Sequence, residues 1–467
     1  MEVLQRTANR GSISTGPYQI DNSLKFERDN SESIVTTTQA AGNQKTWTFS
    51  AWIKRSRLSY DWDNIFGAGT AIIIFSEQDN LIVELYNGTT YKLITNRRFR
   101  DTAAWYHLVV MLDTTQGTEA NRVKIYVNGV QETSLSTATY PPQDATFPLG
   151  GQGSSANWIQ LGRFYSGARH FSGYMADVYY LNGTAEDADA FGETDEDTGI
   201  WIPKAYTGSG YGTQGFHYKF DNASDLGEDS SGEGHNANQK NNITAADQAT
   251  DTPTNNFCTL NPLMANAGPA NYLPITEGGT KAVNTAAAYK IANSTFGVTS
   301  GKWSWEVKAT DVNGVTAIGV TMPFFWDADY TLQGCIYYGQ TGQRYNNASA
   351  STFGATYTDG DIISFALDMD ATPPTMTVYK NNSSQGNLMA GLSINGTGGA
   401  FLPVKEDGYF PKVVGYNANT FECNFGGYTS FSISSAASDG NGYGTFEYAP
   451  PTGYYALCTK NLAEFGG

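Results

Sequence analysis

Three acidic residues alternate along one short stretch of the chain, at a spacing that could support acid–base chemistry. In the stretch GETDEDTG, Glu193, Asp195 and Asp197 stand two residues apart. On a β-strand this spacing puts the carboxyl groups on one face, and retaining glycoside hydrolysis needs two carboxyls about 5 Å apart. The intervening residues, however, are Thr194 and Glu196, which are too polar to pack the reverse side of a strand. The pattern therefore favours a solvated loop over a catalytic strand.

The remaining candidates for catalysis are isolated. Glu306, in the strand-like stretch WEVKATD, has no second carboxylate at a suitable offset. His107 lies in the alternating stretch WYHLVV and is expected to be a structural residue rather than a base. The other three histidines stand in turn-rich sequence, away from any nucleophile motif, at His170, His217 and His235. Because no G-x-S-x-G, phosphate-binding loop or H-E-x-x-H motif occurs, we predict that the protein is not an enzyme.

Binding is better supported, first by the stretch KRSRLSYDWDN at Lys54–Asn64. It combines aromatic, basic and acidic residues in one short loop. Aromatic rings stack on sugar faces, while carboxylates and guanidinium groups form hydrogen bonds with sugar hydroxyls. The candidate ligand-binding residues of this loop are Arg55, Arg57, Tyr60, Asp61 and Trp62, with Tyr60 and Trp62 expected to face the sugar.

A second aromatic and acidic loop occurs in the stretch MPFFWDADYTLQGCIYYG at Met322–Gly339. Its candidate ligand-binding residues are Trp326, Asp327, Asp329 and Tyr330. Tryptophan, tyrosine and arginine also concentrate at subunit interfaces. Each of the two loops is therefore either a glycan-binding surface or an interface, and one sequence does not separate the two interpretations.

The elements that position these loops are predicted to be β-strands. The composition is rich in glycine and aromatic residues, with 51 Gly, 29 Tyr, 24 Phe and 9 Trp. Aromatic side chains suit the pleated sheet, and glycine supplies the positive φ of tight turns. Alternation such as WSWEVKA recurs, whereas no long window repeats apolar residues at helical spacing. The fold class is therefore all-β.

Net charge, cysteine spacing and the length of apolar runs exclude several kinds of partner and site. The net charge of −17 repels phosphate backbones, so we expect no nucleic-acid partner. Loop carboxylates could hold Ca²⁺, but no motif indicates it, and we expect no cofactor and no metal site. The four cysteines, at positions 258, 335, 423 and 458, lack C-x-x-C spacing and are expected to be free and buried. The longest apolar run, AIIIF, is too short to span a bilayer, so no membrane insertion is expected.

The same strand–loop–strand sequence pattern occurs twice in the chain, at Leu108–Gly129 and Ile363–Asn382. Each copy is an apolar strand ending in Leu-Asp, a polar loop, and a strand that closes on Tyr-x-Asn. We predict two tandem β-sandwich (jelly-roll) domains that share this unit, joined by a polar, acidic connector. The predicted boundaries are 1–20 for an N-terminal arm, 21–185 for the first sandwich, 186–256 for the connector and 257–467 for the second sandwich.

Particular motifs carry two family resemblances. The stretches YQIDNSLKFERDNSESI, TWTFSAWIKR and WYHLVVMLDTT, followed by RVKIYVNGV, resemble a laminin-G-like, concanavalin-A-like jelly roll. From about residue 297 to 426, the stretches GKWSWEVKATDVNGVTAIGV, YTDGDIISFALDMD, MTVYKNN and FECNFGG resemble a SPRY domain in the order of their motifs. The joining stretches FGETDEDTGIWIPKAYTGSGYGTQGFHYKF, DSSGEGHN and TPTNNFCTLNPL resemble virion proteins of tailed bacteriophages that combine these two modules.

The resemblance to virion proteins implies a structural protein on the exterior of a phage particle, in a tail fibre, an appendage or a decoration. It implies localisation in the virion after synthesis in the host cytoplasm, and binding to a glycan or receptor on the host surface. We expect a homo-oligomer that contacts other virion proteins through residues 1–20, because this arm carries too few apolar residues to fold alone. The alternative function is a polysaccharide-binding or polysaccharide-degrading protein of the concanavalin-A-like class.

Overall fold

The computed structural model describes residues 18–38, 42–58, 61–148, 157–164, 167–208, 210–263, 273–321, 334–346, 349–394, 401–402 and 408–466. These residues form two compact units, the first ending at Thr254 and the second beginning at Asn255. Both units are built from antiparallel β-sheets, so the all-β prediction of two tandem sandwiches is confirmed.

The first unit is formed almost entirely by short strands. They are β1 Ser23–Phe26, β2 Ser33–Thr38, β3 Thr46–Arg55, β4 Asp63–Ala68, β5 Ala71–Phe75, β6 Asn80–Tyr86, β7 Thr90–Arg98, β8 Tyr106–Asp113, β9 Val123–Val127, β10 Val130–Gln131, β11 Leu135–Ala138, β12 Asn157–Leu161, β13 Gly173–Asn182, β14 Gly192–Thr194, β15 Trp201–Pro203, β16 Phe216–Tyr218, β17 Gln239–Asn241 and β18 Gln248–Ala249. Short 3₁₀ turns occur at Glu119–Asn121, Ala188–Ala190 and Ala245–Asp247.

Two eight-stranded sheets enclose the core of the first unit. One has the order β10, β9, β8, β3, β13, β1, β18, with β16 also paired to β13, and the other has the order β11, β7, β6, β5, β4, β12, β2, β17. Inward residues of both sheets, such as Phe49 and Ile53 of β3 and Ile73 and Phe75 of β5, belong to one buried cluster. Apolar alternation along the strands therefore produces a sandwich, because successive side chains point to opposite faces.

Residues 186–254, which we predicted as part of a connector, lie in the first unit. Strand β16 pairs with β13, β17 with β2, and β18 with β1. Trp201, Tyr206 and Tyr211 pack against a buried cluster that includes Tyr179 and Phe191. These aromatic side chains bury apolar area against the sandwich, which explains why a segment of acidic and polar composition follows its surface.

The hairpin predicted at Asn128-Gly129 is present. Val127 of β9 pairs with Val130 of β10, so these two residues form the turn. Both have positive φ, +48° at Asn128 and +79° at Gly129, as a type I′ turn requires.

The second unit has the same kind of construction. Its strands are β19 Leu260–Asn261, β20 Ile275–Thr276, β21 Lys281–Asn284, β22 Lys290–Ser294, β23 Lys302–Val312, β24 Val315–Thr321, β25 Cys335–Tyr338, β26 Gln343–Asn346, β27 Ser349–Thr352, β28 Asp361–Asp368, β29 Thr375–Lys380, β30 Ser383–Asn387, β31 Ser393–Ile394, β32 Phe401–Leu402, β33 Phe410–Tyr416, β34 Asn419–Asn424 and β35 Tyr455–Ala456. A 3₁₀ turn occurs at Glu277–Gly279, and the helix α1 spans Thr459–Phe465 near the end of the chain.

Two large sheets make up the second unit. A seven-stranded sheet has the order β19, β22, β33, β24, β25, β26, β27. An eight-stranded sheet has the order β20, β21, β34, β23, β28, β29, β30, with β35 also paired to β23. Trp303 and Trp305 of β23 are buried, and the Trp305 ring stacks on Phe365 with 5.0 Å between centroids. The central strand thus anchors the core through aromatic packing.

The predicted first and last segments of this unit do lie side by side. Phe257 and Cys458 form an antiparallel bridge, and the Cys258 backbone N–H donates to the Leu457 carbonyl at 2.9 Å. All four cysteines are free and buried.

Of the predicted N-terminal arm, residues 1–17 lie outside the described part of the chain. The arm's last residue, Ile20, is fastened to the end of the first unit. Its backbone N–H donates to the Thr254 hydroxyl at 3.2 Å, and that hydroxyl donates to the Ile20 carbonyl at 2.7 Å.

Candidate functional site

The first candidate loop joins β3 to β4, and Arg55 forms its buried base. The Arg55 guanidinium lies 2.9 Å from Asp63 and 2.9 Å from Asp79, and it donates to the Phe99 carbonyl at 2.8 Å. Its side chain has no exposed surface. This burial is incompatible with the direct ligand contact that we predicted for Arg55. The residue instead holds together the two ends of the loop and the turn after β5.

Arg28 and Arg57 fasten the loop from the side. Arg28 donates to the Trp62 carbonyl at 2.8 Å and lies 3.6 Å from Asp61. Arg57 lies 2.9 Å from Asp29, and its side chain is 19% exposed. Burial raises the pKa of Asp63, against the opposing effect of Arg55 and Arg28. These ion pairs hold the described residues on either side of Ser59 and Tyr60, and Asp61 lies on the surface with half of its side chain exposed.

Trp62 is the aromatic residue that the loop presents. Within β5, Ile73 and Phe75 point into the core, whereas Ile72 and Ile74 lie on the opposite face of the sheet and pack with Ile82. The half-buried Trp62 ring covers this second apolar cluster, together with Phe164 and Ile94. Its indole N–H donates to the Glu77 carboxylate at 3.2 Å. The ring thus has an apolar floor and a polar edge, as a sugar-stacking residue needs.

Arg169 completes this surface and was not predicted. Its guanidinium lies over the Trp62 ring at 5.2 Å and over the Phe164 ring at 4.9 Å. A tight turn places it there, because the Phe164 N–H donates to the Ala168 carbonyl at 2.8 Å. The stretch RFYSGARH contained a signal, namely an aromatic residue and a glycine turn before an arginine. Only the folded chain brings that turn next to Trp62. We call Asp61, Trp62, Glu77, Phe164 and Arg169 the Trp62 face.

The other candidate residues cannot be placed. Tyr60 of the first loop, and Trp326, Asp327, Asp329 and Tyr330 of the second, lie outside the described residues.

His107 is a structural residue, as we predicted. The ring is buried and stacks between Trp52 and Trp201, with centroid separations of 4.8 Å and 6.0 Å. The Trp201 indole N–H donates to Nδ1 at 3.0 Å, so Nε2 carries the proton and donates to the Ser50 hydroxyl at 2.9 Å. Burial lowers the pKa of His107 to about 3. A neutral, fully hydrogen-bonded imidazole of this kind fixes Trp201 against the sandwich and is unsuited to general-base catalysis.

The alternating acidic residues form a short hairpin. Glu193 lies on β14, which pairs with β15, and its carboxylate is 4.0 Å from Lys204. Asp195 is buried and accepts hydrogen bonds from the Thr198 N–H and the Thr198 hydroxyl, each at 2.7 Å. Asp195 therefore closes a turn, whereas we had predicted a solvated loop for the whole stretch.

A polar cavity of about 120 Å³ lies near a bulge in β13. Its lining residues are Tyr18, Gln19, Ile20, Asp21, Asn22, Asp177, Lys219 and Asp221. Asp177 is buried at the bulge with φ +51°, and one of its oxygens accepts from the Tyr18 hydroxyl at 2.9 Å and lies 2.6 Å from His217 Nε2. Among the described residues that line the cavity, the chemically active side chains are carboxylates, the Tyr18 phenol and the Lys219 amine.

Among the described residues, no group of three or more His, Cys, Asp or Glu side chains is arranged to hold a metal ion. In the same part of the chain, none of the helices has the length and apolar content of a membrane span.

Comparison with known families finds a match for part of the first unit. Residues 28–190 match a laminin-G-like family described as the concanavalin A-like lectin/glucanases superfamily. The concanavalin-A-like part of the sequence prediction is thereby confirmed for this segment. No curated protein matches the sequence.

Several solved structures are similar to parts of the chain. The SPRY domain of human HERC1 is 22% identical over 32% of this chain and 89% of that chain, with a TM-score of 0.26. Another human SPRY domain is 19% identical over 31% of this chain and 91% of its own, with a TM-score of 0.24. A protein of Bacteroides ovatus ATCC 8483 with a provisional carbohydrate-binding description is 19% identical, covering 48% of this chain and 59% of its own, with a TM-score of 0.32.

Proposed function

We propose that the protein binds carbohydrate through the Trp62 face and performs no catalysis. The observation that carries this proposal is the Trp62 ring, which is supported from below by Ile72, Ile74 and Ile82 and flanked by polar groups. A pyranose ring has an apolar face that stacks on indole and equatorial hydroxyls that need donors and acceptors at its edge. Asp61 and Glu77 supply acceptors, and Arg169 supplies donors.

The contacts that fix Trp62 support this assignment. Arg28 donates to the backbone carbonyl of Trp62, and Arg55 pairs with the next residue, Asp63. A side chain that is already ordered loses little conformational entropy on binding, so more of the contact energy contributes to affinity. A concanavalin A-like match that spans residues 28–190 is compatible with a sugar-binding role, although fold alone does not specify function.

The test is glycan-array binding by the purified protein, followed by titration calorimetry with the oligosaccharides that bind. Trp62→Ala should weaken binding about thirtyfold or more, because truncating a central aromatic hot-spot residue costs about 2 kcal/mol or more. Trp62→Phe keeps a ring but removes the N–H bonded to Glu77, so it should have an intermediate effect. Tyr289→Ala is the matched control, since Tyr289 is an exposed aromatic residue of the second unit. Equal affinity of Trp62→Ala and wild type would refute the assignment.

The absence of catalysis is tested with the same ligands. Oligosaccharides incubated with the protein should yield no new reducing ends and no unsaturated products. Release of either product by the wild-type protein would instead support the alternative, a polysaccharide-degrading protein of the concanavalin-A-like class.

We further propose that this binding serves a tailed-phage particle, on whose exterior the protein is displayed as a fibre, appendage or decoration. Support comes from the sequence alone, through the joining stretches between Phe191 and Leu263 that resemble virion proteins. On this proposal residues 1–20 contact a neighbouring virion protein, and the protein assembles as a homo-oligomer.

Deletion of residues 1–17 tests the virion proposal, because it spares Tyr18 and Ile20, which form hydrogen bonds within the first unit. The truncated protein should remain folded by circular dichroism but be missing from purified particles by mass spectrometry, whereas the full-length chain is incorporated. Incorporation of the truncated chain at full occupancy would place the attachment elsewhere.

A further inference from the structure

Arg169 is an exposed arginine that, like Arg98, has no ion pair in the described part of the chain. Five other arginines of the first unit lie within 4 Å of a carboxylate, namely Arg28, Arg55, Arg57, Arg97 and Arg100. The Arg169 guanidinium lies instead over the rings of Trp62 and Phe164.

The position of Arg169 is fixed. Its backbone has φ +54°, a conformation uncommon for residues other than glycine, and its carbonyl accepts from the Asn64 N–H at 3.0 Å. The guanidinium carbon lies 5.2 Å from the centroid of Trp62 and 4.9 Å from that of Phe164, and none of its N–H groups is hydrogen-bonded to a described residue. A planar guanidinium with available N–H groups is well suited to bidentate hydrogen bonding with a carboxylate.

Each carboxylate of the Trp62 face has another partner. Asp61 lies 3.6 Å from Arg28, and Glu77 accepts the indole N–H of Trp62. The neighbouring His170 has a lowered pKa, caused first by partial burial and then by the charges of Arg163 and Arg28. Arg163 thus lies near enough to add positive charge beside Arg169, whereas the charge of Arg28 is shared with Asp61 and Asp63.

We propose that Arg169 binds the carboxylate of an acidic sugar, so that the ligand of the Trp62 face is a polysaccharide that contains uronic acid. This inference rests on the proposed carbohydrate binding and adds the ligand's chemical class and the residue that selects it. The sugar ring stacks on Trp62, and its carboxylate lies at the edge of the guanidinium.

The experiment compares oligogalacturonate with its methyl ester, two probes that share a sugar backbone and differ in charge. Uronate oligomers from alginate serve as a second acidic probe. Wild type should bind the acid at least tenfold more tightly than the ester, and this preference should shrink as salt concentration rises. Arg169→Gln should abolish the preference, so that acid and ester bind with equal affinity. Arg169→Lys, which keeps the charge but not the planar fork, should retain part of it. Lys124→Gln, a matched charge change on the other sheet, should behave as wild type.

The outcomes separate this inference from the proposed function. Equal binding of acid and ester by wild type, with both lost in Trp62→Ala, would overturn the role of Arg169 and leave carbohydrate binding intact. Equal preference in wild type and Arg169→Gln would also overturn it. A sulfated oligosaccharide without carboxyl groups that bound as tightly as the uronates would overturn the carboxylate specificity. Failure of wild type to bind any acidic or neutral oligosaccharide would overturn both proposals.

Discussion

Replacing His107 with glutamine should make the first unit less sensitive to acid. His107 is buried between Trp52 and Trp201, with both ring nitrogens hydrogen-bonded in the neutral form. Protonation would put a hydrogen on Nδ1, where it would face the indole N–H of Trp201, and would place a charge in a buried site. The folded state therefore resists protonation far more than the unfolded chain does.

The size of the effect follows from the two pKa values. Burial lowers the pKa of His107 from 6.5 to about 3, so the unfolded state binds more protons than the folded state between these values. Stability from the neutral imidazole is complete above pH 6.5 and is lost as the pH falls toward 3. At pH 5 the loss amounts to about 2 kcal/mol, from 1.36 kcal/mol per pKa unit. Because pH 5 lies well above the folded-state pKa of about 3, the loss of about 2 kcal/mol depends mainly on the pKa of His107 in the unfolded chain.

The assay is urea unfolding at pH 7.5 and pH 5.0, with the two units fitted as separate transitions. His107→Gln will lower stability at both pH values, because it removes the aromatic stack. The informative quantity is the loss in free energy of unfolding between pH 7.5 and pH 5.0. This loss should be about 2 kcal/mol smaller in the variant than in wild type. His235→Gln, a half-buried histidine of the same unit, is the control. Equal pH-dependent losses in His107→Gln and wild type would refute the reasoning.

Three further substitutions test the account. Arg55→Met should destabilise the first unit by about 3–5 kcal/mol in urea unfolding, since it leaves Asp63 and Asp79 buried without their shared cation, and a loss below 1 kcal/mol would contradict this. Burial raises the pKa of Glu306 from 4.5 to about 7, although three N–H donors oppose this shift. The protonated carboxyl therefore stabilises the folded state fully below pH 4.5, and this stabilisation is lost as the pH rises to 7. Glu306→Gln should remove up to about 3 kcal/mol of that pH dependence, and an unchanged slope between pH 4.5 and 7 would contradict it. Gly129→Ala would place a methyl group 2.4 Å from the Trp201 ring at φ +79°, so near-UV circular dichroism should report a displaced indole, whereas an unchanged spectrum would mean that the hairpin does not constrain Trp201.

Much of the fold could be predicted because strand and turn signals are local. The strand–loop–strand pattern that occurs twice, at Leu108–Gly129 and Ile363–Asn382, has the same structure in both units. Strand β8 pairs with β9 on one side and with β3 on the other. In the same way, β28 pairs with β29 on one side and with β23 on the other. Asn128 and Asn381, which close the two copies, both have positive φ and accept the N–H of a residue at the start of the preceding strand. A repeated sequence pattern therefore indicated a repeated hydrogen-bonding pattern.

The arrangement of the candidate site depended on contacts that no local pattern reveals. Arg55 and Trp62 belong to one loop, yet Arg55 is buried by Asp79 and Phe99, whereas Trp62 reaches the surface. Arg169 lies far along the chain from Trp62, and only the pairing of β12 with β4 brings the turn after β12 next to the loop. Trp201 likewise packs against His107 and Gly129, which are distant in sequence. Because composition does not reveal such contacts, the segment 186–256 was predicted to be a connector.

The most direct test of carbohydrate binding at the Trp62 face is a crystal structure of the protein with the tightest-binding oligosaccharide. The account predicts a pyranose ring stacked on the Trp62 indole, with hydroxyls near Asp61 or Glu77 and a carboxylate at the Arg169 guanidinium. An oligosaccharide bound in the cavity next to Asp177, or on the second unit with the Trp62 face empty, would contradict it.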